Sequence, residues 1–327
     1  MELNEYQQSA AGSNTFAGDE ALADGNATNR ALNAALFGLG SETGSLLDIQ
    51  KKLLTGDIDL NIAKSRACQE LGDLLWYVSR VSDALGFTLE EIANANLTRA
   101  ADMWGGEDSS LAQLAEFDNG APEERFPRYL KFRFEEYPHT EGGRTLKRAS
   151  IHLVDAQPND FPDGIIDMGG DKTRGYAVDA PFGQKLTDNS QRDDGYRYHD
   201  AIHMAFMACL HWSATMRALL GIKRKSDDEK DHNEDSARPI FLEEGLAAVL
   251  AALSALRMNF EAEANIDGDV LEAVKACTKD LEVAAVPGWA WRRVIVMGFE
   301  AMRELERNGG GHLVADLDAR TLSFEAL

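Results

Sequence analysis

Two long stretches with apolar residues spaced three and four apart constrain the fold of this chain most strongly. In residues 31–54 and 61–85 the apolar side chains recur on one side of a helix. Gly56 and Gly86 follow these stretches, and glycine commonly ends a helix. The pattern therefore predicts two long amphipathic helices, whose apolar faces need partners.

Two shorter stretches extend this helical unit. Residues 3–8 predict a short opening helix, and Thr88 with Glu91 predicts a capping box at the start of a helix towards Trp104. Four helices with short connections predict a mainly α fold that begins with a compact four-helix bundle over residues 1–105.

Acidic residues cluster on both long predicted helices. Glu70 and Asp73 are three residues apart, so their carboxylates share one helical face and repel each other. Glu42 and Asp48 lie on the preceding helix. Mg²⁺ offsets such repulsion because it prefers carboxylate oxygens and usually keeps substrate phosphate among its ligands. We therefore predict a metal-dependent phosphate site, whereas the alternative is an ordinary solvated acidic face.

Five strings within residues 1–105 share their order and spacing with one known family. They are Leu3-Asn-Glu-Tyr-Gln, Gly38-Leu-Gly-Ser-Glu-Thr-Gly-Ser-Leu-Leu, Lys51-Lys52, Glu70-Leu-Gly-Asp-Leu-Leu-Trp-Tyr and Leu89-Glu-Glu-Ile-Ala-Asn-Ala-Asn-Leu. These strings resemble the MazG-like all-α nucleoside triphosphate pyrophosphohydrolases. The resemblance implies cleavage of a nucleotide between its α- and β-phosphates, giving a monophosphate and pyrophosphate. It also implies Mg²⁺, or Mn²⁺ in its place, as the cofactor.

The resemblance implies roles for individual residues. The implied catalytic and metal-binding residues are Glu42, Glu70 and Asp73, and Asn96 matches a substrate-binding asparagine. Lys52 and Arg99 are further candidates for substrate binding because cations contact phosphates, although each is also an ordinary surface cation when taken alone.

One position departs from the family's pattern. Ser45 stands where the family has the second glutamate of Glu-x-x-Glu, so the site loses one negative charge. Asp48 lies one turn further along, but its direction has rotated away from Glu42, so it can serve the metal only from the edge of the site. This departure leaves open the hypothesis that the chain is a sensor, which binds a nucleotide and does not cleave it. A non-catalytic helical interaction protein, which needs no metal, is a further alternative.

The middle and end of the chain predict different structures. For residues 106–190 we predict a linker and a small β-containing segment. Residues 129–135 and 149–154 are rich in apolar residues in patterns that are typical of strands. A further strand is predicted near residues 165–166. Residues 191–327 predict a C-terminal helical domain, in which Trp289, Trp291 and Phe299 lie on candidate buried faces. The charge-dense residues 223–238 predict an exposed, mobile loop.

A second candidate site lies in this C-terminal region. His199 and His203 are four residues apart and therefore on one helical face. Together with Asp200 and Glu244, or with Glu243, they predict a metal or polar-ligand pocket. The alternative is a pair of hydrogen-bonded core histidines. Residues 186–203 and 243–245 also look similar to a C-terminal domain that accompanies some MazG-like proteins. A separate metal hydrolase in this half is a further alternative.

Composition limits the partners. The formal net charge of −22 argues against binding to a nucleic-acid backbone. The chain lacks an apolar run of membrane-spanning length and a signal-peptide pattern at its start, so we expect no membrane partner. Its three scattered cysteines predict reduced thiols and a cytoplasmic location. The expected partners are a nucleotide substrate and further copies of the chain, since a one-sided acidic face needs a homodimer or higher homo-oligomer to complete its pocket.

Overall fold

The structure is a computed structural model that describes residues 1–13, 30–106, 109–141, 143–157, 181–190 and 193–327. Helices are its main secondary structure, as the sequence predicts. The chain forms two compact units, Met1–Ala101 and Asp102–Leu327. The described helices include none that is long and apolar enough to cross a membrane.

The four helices predicted near the start of the chain are all present. They are α1 (Leu3–Ala11), α2 (Arg30–Thr55), α3 (Leu60–Leu85) and α4 (Leu89–Trp104). Gly86 ends α3 with a φ of 78°. The predicted capping box of α4 is confirmed, because the Thr88 amide donates to Glu91 Oε2 at 2.7 Å and the Glu91 amide donates to Thr88 Oγ1 at 3.1 Å.

Helices α2 and α3 approach each other closely at Gly38. A Cβ atom at this position would lie 2.1 Å from Cε1 of the Tyr77 ring, so only glycine admits the contact. Gln7 ties α1 to the start of α4, since its Oε1 accepts from the Leu89 amide at 2.7 Å. Its Nε2 also donates to the Phe87 carbonyl at 3.0 Å. These hydrogen bonds hold α1 against the segment that joins α3 to α4.

The second unit contains an antiparallel sheet whose described strands run in the order β3-β2-β1-β4-β5. The strands are β1 (Tyr129–Glu141), β2 (Arg144–Gln157), β3 (Pro181–Thr187), β4 (Gly310–Asp316) and β5 (Thr321–Glu325). Strands β1 and β2 contain the two predicted strands, and β3 was not predicted. The strand predicted near residues 165–166 lies outside the described residues.

The C-terminal region is not wholly helical, which corrects the predicted helical domain over residues 191–327. Strands β4 and β5 belong to it, and β4 pairs with β1, where Leu313 lies opposite Phe132. Gly309 ends the helix that precedes β4 with a φ of 65°, and Gly310 begins the strand. Because β1 pairs with β4, the segments predicted as 106–190 and 191–327 share one sheet and one compact unit.

The helices of the second unit pack around this sheet. They are α5 (Asp200–Ala205), α6 (Ala214–Leu220), α7 (Asp228–Asn233), α8 (Ala237–Ser254), α9 (Gly268–Thr278) and α10 (Gly288–Asn308). A Cβ atom at Gly298 of α10 would lie 3.1 Å from the Cα atom of Ile202, so α10 and α5 are in close contact. Trp289, Trp291 and Phe299 are buried, as predicted.

The charge-dense residues 223–238 form the predicted exposed loop only in part. They contain α7, and both Arg224 and Asp235 are fully buried. Arg224 Nη2 donates to Asp235 Oδ1 at 2.7 Å and to Glu282 Oε1 at 2.8 Å. Arg217 Nε lies 3.8 Å from the same Asp235 oxygen. Residues 225–229 are exposed, as predicted, whereas Arg224 and Asp235 lie inside because their opposite charges pair, which offsets the cost of removing them from water.

Candidate functional site

Carboxylates from α2 and α3 meet at one place in the first unit. One oxygen each from Glu42, Glu70 and Asp73 lies within 4.8 Å of the others, and we call these residues the acidic cluster. Glu42 and Glu70 are half-buried, and Asp73 is exposed. Helical spacing brings Glu70 next to Asp73, and the packing of α2 against α3 adds Glu42.

Repulsion within the acidic cluster affects the protonation of Glu42. Partial burial raises the pKa of Glu42, and a hydrogen bond with Glu70 and the negative charges of Glu70 and Asp73 raise it further. The three charged carboxylates are therefore costly to hold together without a cation. Their oxygens form a donor set that fits Mg²⁺ or Mn²⁺, both of which prefer carboxylate ligands.

Asp48 does not join the acidic cluster. Its Oδ2 lies 2.6 Å from Lys52 Nζ, one helical turn away. The hydrogen bond from Lys52 lowers the pKa of Asp48. Asp48 and Lys52 thus form a local ion pair. Within the described residues, Glu42 lies close enough to Glu70 and Asp73 to share a metal ion with them, and Asp48 does not.

Asn96 and Arg99 lie together on α4. Arg99 Nη2 donates to Asn96 Oδ1 at 3.2 Å. Both side chains line an open cavity of about 660 Å³, together with Phe87 and Ile92. The cavity combines an amide, a cation and apolar surface, which are the kinds of groups that contact the phosphates and the base of a nucleotide.

The residues of the second predicted site also come together. Ligand atoms of His199, Asp200 and His203 lie within 4.8 Å of one another. Glu244 Oε2 lies 3.6 Å from His199 Nε2 and 3.5 Å from His203 Nε2. We call these four residues the histidine cluster. The first three are buried, whereas the Glu244 side chain is 40% exposed.

Each histidine of this cluster is held through its Nδ1 atom. His199 Nδ1 donates to the Tyr196 carbonyl at 2.9 Å, and His203 Nδ1 lies 2.8 Å from Glu243 Oε1. The buried Glu243 carboxylate also accepts from Ser213 Oγ at 2.5 Å and from the Thr215 amide at 2.9 Å. The sequence indicated Glu243 only as an alternative to Glu244, and it gave no signal for the contributions of Ser213 and Thr215.

Charges within this region strongly affect His203. Burial lowers the pKa of His203, but the carboxylates of Glu243 and Glu244 outweigh burial and raise this pKa to about 10. In turn, the close approach of the His199 and His203 rings lowers the pKa of Glu244. Burial raises the pKa of Asp200, against the opposing effect of the two histidines. The carboxylates around His203 therefore favour a positive charge at this position.

Comparison with known proteins identifies the C-terminal part of the chain. Residues 168–327 match the family model of the MazG C-terminal domain, a range that includes the whole histidine cluster. Searches of curated proteins and of solved structures gave no match. The N-terminal residues that hold the acidic cluster lie outside the matched range. Over residues 168–327 the chain is thus similar to the MazG C-terminal domain, which supports a MazG-related protein.

Proposed function

We propose that the chain is a Mg²⁺-dependent nucleotide pyrophosphohydrolase, which cleaves a nucleoside triphosphate or a related nucleotide to a monophosphate and pyrophosphate. The observation that carries the proposal is the acidic cluster, in which three carboxylates from two helices lie within 4.8 Å of one another. The match to the MazG C-terminal domain agrees with a nucleotide-related protein.

In this proposal Glu42, Glu70 and Asp73 hold the metal. Bound Mg²⁺ supplies charge neutralisation at the phosphates and polarises the phosphorus that water attacks. The cluster's carboxylates orient that water by accepting its hydrogen bonds.

Asn96 and Arg99 bind the rest of the substrate in this proposal. The Arg99 guanidinium contacts a phosphate, and the Asn96 amide contacts the nucleoside, from the cavity that both side chains line. Lys52 is a weaker candidate because it is already paired with Asp48 at 2.6 Å. The side chains position the nucleotide, and charge stabilisation supplies most of the rate enhancement.

A screen of nucleotides tests this function. The full chain is incubated with each nucleotide and Mg²⁺, and pyrophosphate and orthophosphate are measured separately. We expect pyrophosphate release that stops when Mg²⁺ is chelated. Tight binding of a nucleotide without release of either product would instead support a sensor, the hypothesis that Ser45 favours.

The variant Ser45→Glu distinguishes these two functions. It adds a fourth carboxylate one turn from Glu42, so we expect a lower Mg²⁺ concentration for half-maximal pyrophosphate release. A Mg²⁺ titration of activity measures the change. Thr43→Glu is the matched control, because it adds the same charge to an exposed position on the opposite side of α2.

Each outcome of this comparison has a clear meaning. An inactive wild type with an active Ser45→Glu variant would support the sensor. A loss of activity in Ser45→Glu but not in Thr43→Glu would mean that the pocket requires the serine. Equal changes in both variants would contradict a local effect at the metal site.

We also propose that the chain works as a homodimer or higher homo-oligomer. Several large apolar side chains of α2 and α3 are exposed, with Phe37 at 79% and Leu54 at 78%. The others are Leu36, Leu47, Leu60, Ile62, Leu71, Leu75 and Leu85. A second copy that covers this surface would also close the exposed side of the acidic cluster. Light scattering of the active protein measures the mass, and a monomer would contradict the proposal.

A further inference from the structure

The histidine cluster contains a buried nitrogen without a hydrogen-bond partner. His203 is fully buried, and its Nε2 makes no hydrogen bond within the described residues. Glu244 Oε2 is 3.5 Å away, which exceeds the usual N–H···O range of about 2.7–3.2 Å. A buried polar atom left unpaired costs free energy, so a ligand at this point would stabilise the fold.

The hydrogen bonds of the two Nδ1 atoms orient both histidines so that their Nε2 atoms can bind such a ligand. Because His199 Nδ1 donates its hydrogen to the Tyr196 carbonyl, His199 Nε2 carries a lone pair when the ring is neutral. The Glu243 carboxylate fixes His203 in the same way through Nδ1. Metal-binding histidines in proteins almost always donate their second ring N–H to a carbonyl or a carboxylate. The two Nε2 atoms are therefore oriented as metal ligands are.

The distances within the cluster match those around a small tetrahedral ion. His199 Nε2 lies 3.4 Å from Asp200 Oδ1 and 3.6 Å from Glu244 Oε2, and His203 Nε2 lies 3.5 Å from the same Glu244 oxygen. Tetrahedral coordination by nitrogen and oxygen at bond lengths of about 2.0–2.2 Å separates neighbouring ligand atoms by about 3.3–3.6 Å. These three pairs of ligand atoms are thus already at distances that a tetrahedral ion requires.

We propose that the histidine cluster binds a divalent first-row transition metal, with His199, His203, Asp200 and Glu244 as its ligands. Imidazole ligands suit Zn²⁺ and similar ions, whereas Mg²⁺ prefers oxygen alone. The two ligand carboxylates balance the charge of a divalent ion. The exposed Glu244 side chain marks the side from which the metal enters.

The alternative is that no metal binds and that a protonated His203 lies between Glu243 and Glu244. An imidazolium would satisfy the same carboxylates without a metal, and then Zn²⁺ would bind weakly or elsewhere. The two arrangements differ in a measurable way, because only the first gives stoichiometric metal binding that depends on Glu244 and His203.

The test uses the full chain with the acidic cluster disabled by Glu70→Gln and Asp73→Asn. Cys68→Ser in the same background removes an exposed thiol that could also bind Zn²⁺. After metal is stripped with a chelator, Zn²⁺ is titrated by calorimetry, and bound metal is counted by mass spectrometry. We expect one Zn²⁺ per chain. With Co²⁺ as the probe we expect the intense visible absorption of a tetrahedral site.

Three further substitutions in this background locate the metal. Glu244→Gln removes a ligand charge with little change of shape, and we expect it to abolish stoichiometric binding. Glu243→Gln weakens the outer contact to His203 and should reduce Zn²⁺ affinity about 10–100-fold. His232→Ala is the matched control, since this histidine is exposed and outside the cluster. It should leave binding unchanged.

Absence of stoichiometric Zn²⁺ in the background protein would overturn the proposal. Unchanged Zn²⁺ affinity in Glu244→Gln would overturn it as well. A fourth substitution, His203→Gln, removes the second nitrogen ligand but also leaves the buried Glu243 without its contact to the imidazole. If circular dichroism shows that this variant unfolds, Glu244→Gln decides the question, because its side chain is 40% exposed.

Discussion

Glu70→Gln and Asp73→Asn are each expected to abolish Mg²⁺-dependent pyrophosphate release from a chain that remains folded. Each substitution removes one negative charge from the acidic cluster and nearly preserves the shape of the side chain. Loss of one electrostatic group at a reaction centre costs about 100–1,000-fold in rate, and we expect at least the lower value here. Steady-state assays of pyrophosphate release measure the effect.

The stability of these variants separates a catalytic effect from a structural one. Because the carboxylates repel one another, the metal-free variants should unfold at the same temperature as the wild type or slightly higher. Asp57→Asn is the control, since it removes an exposed carboxylate between α2 and α3 that is not in the cluster. Wild-type rates in Glu70→Gln or Asp73→Asn would rule out the proposed site.

Asp235→Ala is expected to destabilise the chain by about 3–5 kcal/mol, the typical cost of breaking a buried ion pair by removing one partner. The substitution leaves Arg224 buried with Glu282 as its one remaining carboxylate among the contacts described here. It also removes the negative charge that lies 3.8 Å from Arg217 Nε. Urea unfolding followed by far-ultraviolet circular dichroism measures the change in free energy.

An exposed ion pair of the same region provides the comparison. Arg238 and Asp280 lie 3.7 Å apart, and their side chains are 78% and 62% exposed. Asp280→Ala should change the free energy of unfolding by less than about 1 kcal/mol, as is usual for surface pairs. Equal effects of Asp235→Ala and Asp280→Ala would contradict a structural role for the buried pair.

Local patterns in the sequence were sufficient to predict the helices of the first unit. Apolar spacing and the capping box of Thr88 and Glu91 act over a few residues, so they can be read without knowledge of the fold. The same holds for the shared face of Glu70 and Asp73. Glu42 lies close to Glu70 and Asp73 because α2 packs against α3. Local patterns do not predict that packing, so the prediction for Glu42 depended on the family resemblance.

Features that depend on distant residues were missed. Residues 223–238 suggested an exposed loop because the sequence does not show that Arg224 pairs with Glu282, far along the chain. Glycine is uncommon inside strands, so the glycines at positions 310 and 311 did not indicate β4. Their role in β4 depends on β1, against which Gly311 lies opposite Phe134.

The histidine cluster was predictable from the sequence only in part. The spacing of His199 and His203 predicted their shared face, since it depends on one helix alone. Glu243 and Glu244 are adjacent on α8 and point in directions about 100° apart. Which of them faces Nδ1 and which faces Nε2 depends on how α8 is rotated against α5, and no local pattern encodes that rotation.

The pairing of β1 with β4 has a consequence for synthesis on the ribosome. Strands β1 and β2 form a hairpin between neighbouring segments, but the other edge of β1 has no partner until residues 310–316 emerge. At a synthesis rate of about 5–20 residues per second, that edge waits roughly 10–35 s for about 170 further residues. An open strand edge can pair with other chains. The period of greatest aggregation risk therefore falls during translation, before the sheet is complete.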